Sequence, residues 1–451
     1  MLRRLILLSL ISGLLGLITH CFAKGTPAKD PLKRRAFVGL GDTALPDSLR
    51  ARIAPDSTGL YILAVVSGAS ADKIGLKKGD VLLRLNGIPM RESNDVRKIV
   101  YNYKAGDKVT AEYWHQGKRM TRTTTLTEYP RETASDFDIL YDSFKDGDSL
   151  RRVIITKPRV SGKLPVIVLL PGVGAFDVDR NRDVYEYPLQ NLLYALTRAG
   201  FVTVRMDKRG QGDSQGPAYK TLGLKDEVNF FVSGLKALPK WDFMDAQKVI
   251  LLAHSSGGLH APLVAAQYPV KGVIALDAVG TGWYSWELAR QKREFLLEGL
   301  PYDSVETIMA ASELAMHKLC IEKLSAEAVE KENPALTKIL PDDLKPTYWQ
   351  DLATVNFPAA WKTVTAPVLV VTGNSDYVVA SDESRQIADI VNSFHSGQAT
   401  YLEIKDLDHD QRTMPSCKAS YEQTQHLAWF GPTHPQLAPQ VIEWAKKTVG
   451  N

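Results

Sequence analysis

Sulfur, net charge and long apolar runs are all scarce in this chain. Its 451 residues include three cysteines, with no Cys-x-x-Cys and no His-x-x-x-His spacing. That excludes a disulfide-dense framework and gives no sign of a metal site, and no cofactor is implied. The positive excess is only +4, with 24% charged residues. Such a balance is too mild to argue for nucleic acid as a partner or for an anionic membrane surface. The N-terminal apolar run, Leu5–Ile18, stops at 14 residues, short of the roughly 20 that span a bilayer. It follows the basic Met1-Leu2-Arg3-Arg4 and precedes Thr19-His20-Cys21-Phe22-Ala23, where Cys21 and Ala23 hold the small-x-small places. This is the layout of a secretory signal peptide over 1–23, cut after Ala23 and leaving no membrane span. Left uncut, the same segment would anchor the chain. A secreted or periplasmic location follows. Cys320 and Cys417 would then meet an oxidising compartment, where they either pair or remain buried thiols.

What the chain does have is punctuation. Lys24–Arg35 is rich in basic residues, with Pro and Gly, and reads as a linker. Short strand-like runs follow over 36–128, with Gly79-Asp80 and Asn86-Gly87 as turn signals and a helix over Ser93–Tyr101. After a polar link at Pro130–Asp136 the pattern changes. A hairpin signal at Gly147-Asp148 is followed by the β-branched runs Val166–Leu170, Val202–Met206, Val249–Leu252, Val273–Leu276, Val368–Thr372 and Thr400–Ile404. Helical stretches separate them, among them Tyr187–Ala199, Lys225–Ala237, Gly258–Gln267 and Asp382–Asn392. Continuous apolar strands alternating with helices predict an α/β class: a mostly parallel sheet covered on both faces.

One of these runs ends abruptly at Ala253-His254-Ser255-Ser256-Gly257-Gly258. A strand turning sharply into a helix here would push the Ser255 hydroxyl out of the sheet, as a serine nucleophile requires. Two more loops at strand ends are polar and glycine-rich, Pro171–Asp177 and Asp207–Gly216. Open α/β sheets build their sites at such ends.

Two families are resembled. Residues 36–128, through Ser70-Ala71-x-x-x-Gly75-Leu76-x-x-Gly79-Asp80 and Asn86-Gly87, are similar to a PDZ domain of the bacterial type. The resemblance implies a small β-rich domain that adds an extended peptide, usually a C-terminus, to a sheet edge. Carried over by position, Val38-Gly39-Leu40 would be the loop that cradles the peptide carboxylate. The Thr43–Thr58 insertion would flank or obstruct that groove. Residues 137–450 resemble the α/β-hydrolase superfamily, nearer its esterase and dienelactone-hydrolase-like members than true proteases. The matching pieces are Leu169-Leu170-Pro171-Gly172, Asp207-x-Arg209-Gly210-x-Gly212-x-Ser214-x-Gly216, His254-Ser255-x-Gly257-Gly258, Pro367-Val368-Leu369-Val370-Val371-Thr372-Gly373-x-x-Asp376 and Asp406-x-Asp408-His409. Ala253 stands where the superfamily has a glycine.

This second resemblance implies the order nucleophile, acid, base: Ser255, Asp376, His409. The backbone N–H groups of Val173 and Ser256 would form the oxyanion hole. Asp277 is a rival acid, and His395 and His426 are rival bases. His254 and His260 read as structural, and Asp207 and Arg209 as a salt bridge within their loop. From about 280 to 362 the strand pattern stops and aromatic-rich helices imply a lid that either roofs an apolar pocket or binds the lid to the body. The preferred reading is an exported serine hydrolase that cleaves small-molecule carboxylic esters, with a PDZ domain for a peptide or protein end. An exported serine peptidase and a non-enzymatic PDZ adaptor are the alternatives.

Overall fold

The computed structural model describes residues 30–53, 58–93, 95–101, 103–175, 177–179, 187–280, 282–334, 340–341, 344–425 and 432–450. The signal segment 1–23, most of the expected linker and His426 lie outside them. Among the described residues no helix is long and apolar enough to cross a membrane.

The PDZ region contains strands β1 (Ala36–Phe37), β2 (Leu40–Ala44), β3 (Leu60–Val65), β4 (Val81–Leu85), β5 (Ile88–Pro89), β6 (Lys108–His115), β7 (Lys118–Thr125) and β8 (Thr127–Glu128). The sheet order is β2-β3-β4-β6-β7, so β2 is an edge strand, and β1 pairs with β8 apart from it. Asn86 and Gly87 both take positive φ, 51° and 79°, which closes the β4–β5 hairpin as the Asn-Gly pair predicts. Alternation over Val81–Leu83, and a register shift between Leu82 and Arg84, decide what each face of β4 holds. Leu82 and Leu85 join the main core with Val96 and Val100 of the helix Asp95–Val100. Val81 and Leu83 point the other way and bury Leu45 of the insertion, with Leu49 and Ile53 packed alongside. The inserted helix Asp47–Ile53 therefore covers the face of the sheet opposite the helix Asp95–Val100.

The second sheet contains β9 (Phe137–Asp146), β10 (Ser149–Pro158), β11 (Leu164–Leu170), β12 (Val202–Met206), β13 (Met244–His254), β14 (Gly272–Leu276), β15 (Val368–Gly373) and β16 (Ala399–Ile404). Its order is β16-β15-β14-β13-β11-β12-β10-β9. The pairs from β12 through β16 are parallel, and β10 runs antiparallel to both β9 and β12. Along β11, Val166, Val168 and Leu170 enter one apolar cluster, Ile167 and Leu169 the other. Both faces are buried, which is why this strand reads as an unbroken apolar run. Helices Leu224–Ala237, Gly257–Ala265 and Ser381–Phe394 cover one face; Pro188–Arg198 and Leu437–Val449 cover the other.

The stretch expected to be a linker ends in ordered structure. Leu32 and Arg34 are buried. Arg34 Nη1 donates to Asp213 Oδ2 at 2.8 Å and also pairs with Asp179. The Arg35 N–H donates to Asp213 Oδ1 at 2.7 Å, and its guanidinium meets Asp177 at 2.5 Å. Tyr101, one residue past the helix Asp95–Val100, donates to Gln211 Oε1 at 2.5 Å, and Lys104 Nζ donates to the Gly212 carbonyl at 3.0 Å. The PDZ region is thus fastened to the strand-end loops of β11 and β12. Basic composition suggested a solvated linker, but the acids that neutralise Arg34 and Arg35 lie more than 140 residues away.

Replacing Arg34 by Met leaves the Asp179 and Asp213 carboxylates buried without their main counter-charge. Urea unfolding should show a loss of about 3 kcal/mol. A change under about 1 kcal/mol would mean the fastening is electrostatically idle.

Candidate active site

Ser255 sits one residue past β13 with φ +57°, a left-handed backbone that a serine adopts only when its surroundings enforce it. Gly257 and Gly258, just after it, show how tight those surroundings are. A Cβ on Gly257 would lie 2.2 Å from the Leu170 carbonyl oxygen, and one on Gly258 would lie 2.4 Å from that of Val279. Only glycine lets the helix Gly257–Ala265 start this close to the ends of neighbouring strands.

The Ser255 hydroxyl faces His409. Its Oγ lies 3.1 Å from His409 Nε2, and His409 Nδ1 lies 2.8 Å from Asp376 Oδ2. The other Asp376 oxygen accepts the N–H groups of Val378 and Val379 at 2.7 and 2.9 Å. With Nδ1–H committed to Asp376, the neutral imidazole presents the Nε2 lone pair to the hydroxyl. Burial alone would lower the His409 pKa. The Asp376 charge and hydrogen bond, aided by Asp277 and Asp410, outweigh it and hold the pKa up at about 9.

The rival residues fall elsewhere. Asp277 is fully buried and bonds to the Gly373 N–H at 3.2 Å. Burial first, then the Asp376 charge, pushes its pKa well up. His254 lies beside the His409 carbonyl and Gln411 at 3.1 and 2.9 Å. Burial, then the charge of His409, pushes it down to about 3, so it stays neutral. His395 rests on the Lys362 carbonyl at 2.8 Å. The expected Asp207–Arg209 bridge does not form. Asp207 accepts the Val178 N–H at 2.7 Å, whereas Arg209 Nε reaches Asp146 at 2.9 Å. The backbone turns after β12, and the two side chains reach different neighbours. Cys320 and Cys417 are both free thiols, and Cys417 Sγ lies 3.5 Å from the Asp376 carbonyl.

Ser256 is at the N-terminus of the helix Gly257–Ala265, and the Val173 N–H donates to Ser256 Oγ at 2.5 Å. Both backbone donors named from sequence thus lie beside Ser255. Above them is a cleft of about 500 Å³ bordered by Val173, Ser255, Ser256, Trp283, Trp286 and Trp349. Trp283 and Trp349 stack at 4.4 Å. Tyr348, Phe357 and Trp361 are instead buried in the body, so the aromatic residues of the lid both roof the cleft and attach it. Val38-Gly39-Leu40, the loop expected to hold a peptide end, leads into the edge strand β2 with Gly39 at φ +73°.

Sequence reasoning missed Lys208. It is buried beneath this site, and its ammonium donates to the Gly172 carbonyl at 2.7 Å. A lysine between Asp207 and Arg209 carries no local signal of burial.

A family model described as "Alpha/beta hydrolase family" matches residues 167–415, and one described as "PDZ domain" matches 39–126. The chain is 26% identical over 229 residues to "Esterase EstD" of Thermotoga maritima, 51% of this chain and 50% of that protein. It is 37% identical over 78 residues to "Serine protease Do-like HtrB" of Bacillus subtilis, 17% of each chain. It thus spans half or less of these curated relatives. Among solved structures, Est1E from Butyrivibrio proteoclasticus superposes with a TM-score of 0.43 at 17% identity, over 70% of this chain and 100% of that one.

Asp376→Asn should lower the His409 pKa, because it removes the charge that opposes burial. Asp277→Asn should leave the Nδ1 contact in place. Ring-proton NMR titration of His409 in the two variants checks this, and a larger drop in the Asp277 variant would reverse the assignment.

Proposed function

The chain belongs to the alpha/beta hydrolase family, and from that premise we propose that it is an exported serine hydrolase cleaving carboxylic esters through an acyl-enzyme on Ser255. The observation that carries this is the continuous Ser255–His409–Asp376 hydrogen-bond chain, 3.1 and 2.8 Å, opening on the tryptophan-lined cleft. Ser255 Oγ attacks the ester carbonyl carbon while His409 Nε2 takes its proton. Asp376 holds the imidazole and offsets its charge. The carbonyl oxygen becomes an oxyanion and is met by the backbone N–H groups of Ser256 and Val173. For the second of these, the Ser256 hydroxyl must turn away from the Val173 N–H. The tetrahedral adduct collapses, the C–O bond breaks, and the alcohol leaves with the proton from His409. Water then repeats the sequence on the acyl group and frees Ser255.

The signal-peptide layout of 1–23 supports export. The edge strand β2 and the Val38-Gly39-Leu40 loop support capture of a peptide C-terminus by strand addition. A peptidase is the second reading, favoured by the PDZ region's likeness to Do-like serine proteases, though that likeness covers only 17% of the chain.

A fluorophosphonate probe should label the wild type and not Ser255→Ala. p-Nitrophenyl esters should turn over much faster than aminoacyl anilides; turnover of anilides alone would establish the peptidase instead. The pH profile has a defined sign. His409 accepts a proton only when neutral and is held up at about 9. Hence kcat/KM, corrected for spontaneous hydrolysis, should climb from neutral pH with a midpoint near 9. A profile already flat from pH 7 upward would contradict it.

A further inference from the structure

Beneath the Ser255 site lies a buried polar cluster that the hydrolytic steps above do not use. Lys208, Glu227 and His260 are each 1% exposed or less. Lys208 Nζ lies 2.7 Å from Glu227 Oε1. The other Glu227 oxygen accepts the Tyr348 hydroxyl at 2.7 Å and lies 3.3 Å from His260 Nε2. Tyr348 belongs to the lid helix Pro346–Thr354. One carboxylate therefore links a lysine under the site to the lid above it. A buried charge pair of this kind is weak ground for stability alone, since apolar residues of equal volume do as well or better.

The atoms that Lys208 holds point to another use. It donates to the carbonyl of Gly172 at 2.7 Å. That C=O and the Val173 N–H belong to the same planar peptide group. Fixing one end fixes the direction of the other, and a cation on the oxygen draws electron density from the nitrogen, making its N–H a stronger donor. The following N–H, that of Gly174, donates to Tyr219 Oη at 3.1 Å, and Lys208 also reaches that hydroxyl at 3.3 Å. Val173 is thus gripped on both sides.

We propose that Lys208 is a positioning residue for the oxyanion donor at Val173, with Glu227 and Tyr348 tying that donor to the lid. This rests on the esterase reading of the Ser255 site. Lys208 touches no reacting atom. It acts through the Gly172–Val173 peptide, and its effect belongs to the charged transition state rather than to the bound ester.

The test compares the full chain with Lys208→Met and with the double variant Lys208→Met/Glu227→Gln. The double variant removes both charges together and so avoids a lone buried carboxylate. Kinetics use p-nitrophenyl butyrate, and butylboronic acid serves as the tetrahedral-adduct mimic. In both variants kcat should fall about ten- to a hundredfold, within the range for a weakened oxyanion donor, with KM changed less than about threefold. The boronate Ki should rise in step with the loss of kcat. A folded double variant with kcat within about twofold of wild type overturns the proposal. So does a loss of kcat with an unchanged boronate Ki, because that would mark a purely structural role. A wild type inert to both the ester and fluorophosphonate would instead defeat the esterase reading itself.

Discussion

The rest of the candidate site depends on one strained backbone position. A non-glycine residue in the left-handed region costs about 1–3 kcal/mol, and Ser255 is held there by three backbone bonds. Its N–H donates to the Leu276 carbonyl at 3.2 Å, and its carbonyl accepts from Gly258 and Val279 at 3.0 and 3.1 Å. Two of these partners lie on β14 or just beyond it, and the adjoining glycine contacts reach the end of β11. The parallel sheet therefore supplies the clamp, and the turn could not persist on an isolated hairpin. The hydroxyl then projects beyond the carboxyl ends of the strands. The loops after β15 and β16 can reach it there, and they bring Asp376 and His409.

Around His409 the fold gathers more acid than one imidazole can use, and solves the excess by separate pairing. Asp376 takes the ring. Asp408 and Asp410 share Arg412 at 2.7 and 3.0 Å. Asp277 is left with backbone and amide donors and is pushed well up, first by burial and then by Asp376. Pushing this carboxyl toward its neutral form eases the repulsion between it and Asp376. The same logic recurs on the far side of the serine, where Lys208 and Glu227 neutralise each other beneath the Gly172–Val173 peptide. Buried charges at this site come with named partners, and those partners determine which polar atoms remain to face the cleft.

Residues whose place in the fold is set locally were legible in the sequence. Ser255, Asp376 and His409 each follow an apolar run at a loop, so the run gives the strand and the break gives the strand end. The helices were legible for the same reason, and those expected over Tyr187–Ala199 and Lys225–Ala237 form at Pro188–Arg198 and Leu224–Ala237. What could not be read was anything fixed by a distant partner. Arg34 and Arg35 looked like solvated linker because Asp177, Asp179 and Asp213 are remote in sequence. Asp207 and Arg209 looked like a pair because they are near in sequence, although the loop aims them apart. Within the 280–362 region, the α-helix Tyr302–Met316 continues as a π-helical turn from His317 to Ile321. Periodicity alone does not register such a change in winding.

The fastening of the PDZ region changes what such a domain can contribute. A reader domain on a flexible tether raises the local concentration of a captured chain over a broad volume. Here Arg34, Arg35, Tyr101 and Lys104 lock it to Asp177, Asp179 and the 211–213 loop, so a peptide added along β2 would be held at one fixed position. The loop that carries Asp177 also carries Gly172 and Val173. The route from the peptide-end loop is short: Val38 follows β1, β1 follows Arg35, and Arg35 grips Asp177. Rigid continuity of this kind transmits a difference only if the PDZ region has two states of different free energy that a ligand can bias. The edge position of β2 and the left-handed Gly39 are where such a difference would originate. The buried arginine–aspartate contacts are where it would cross into the hydrolase sheet.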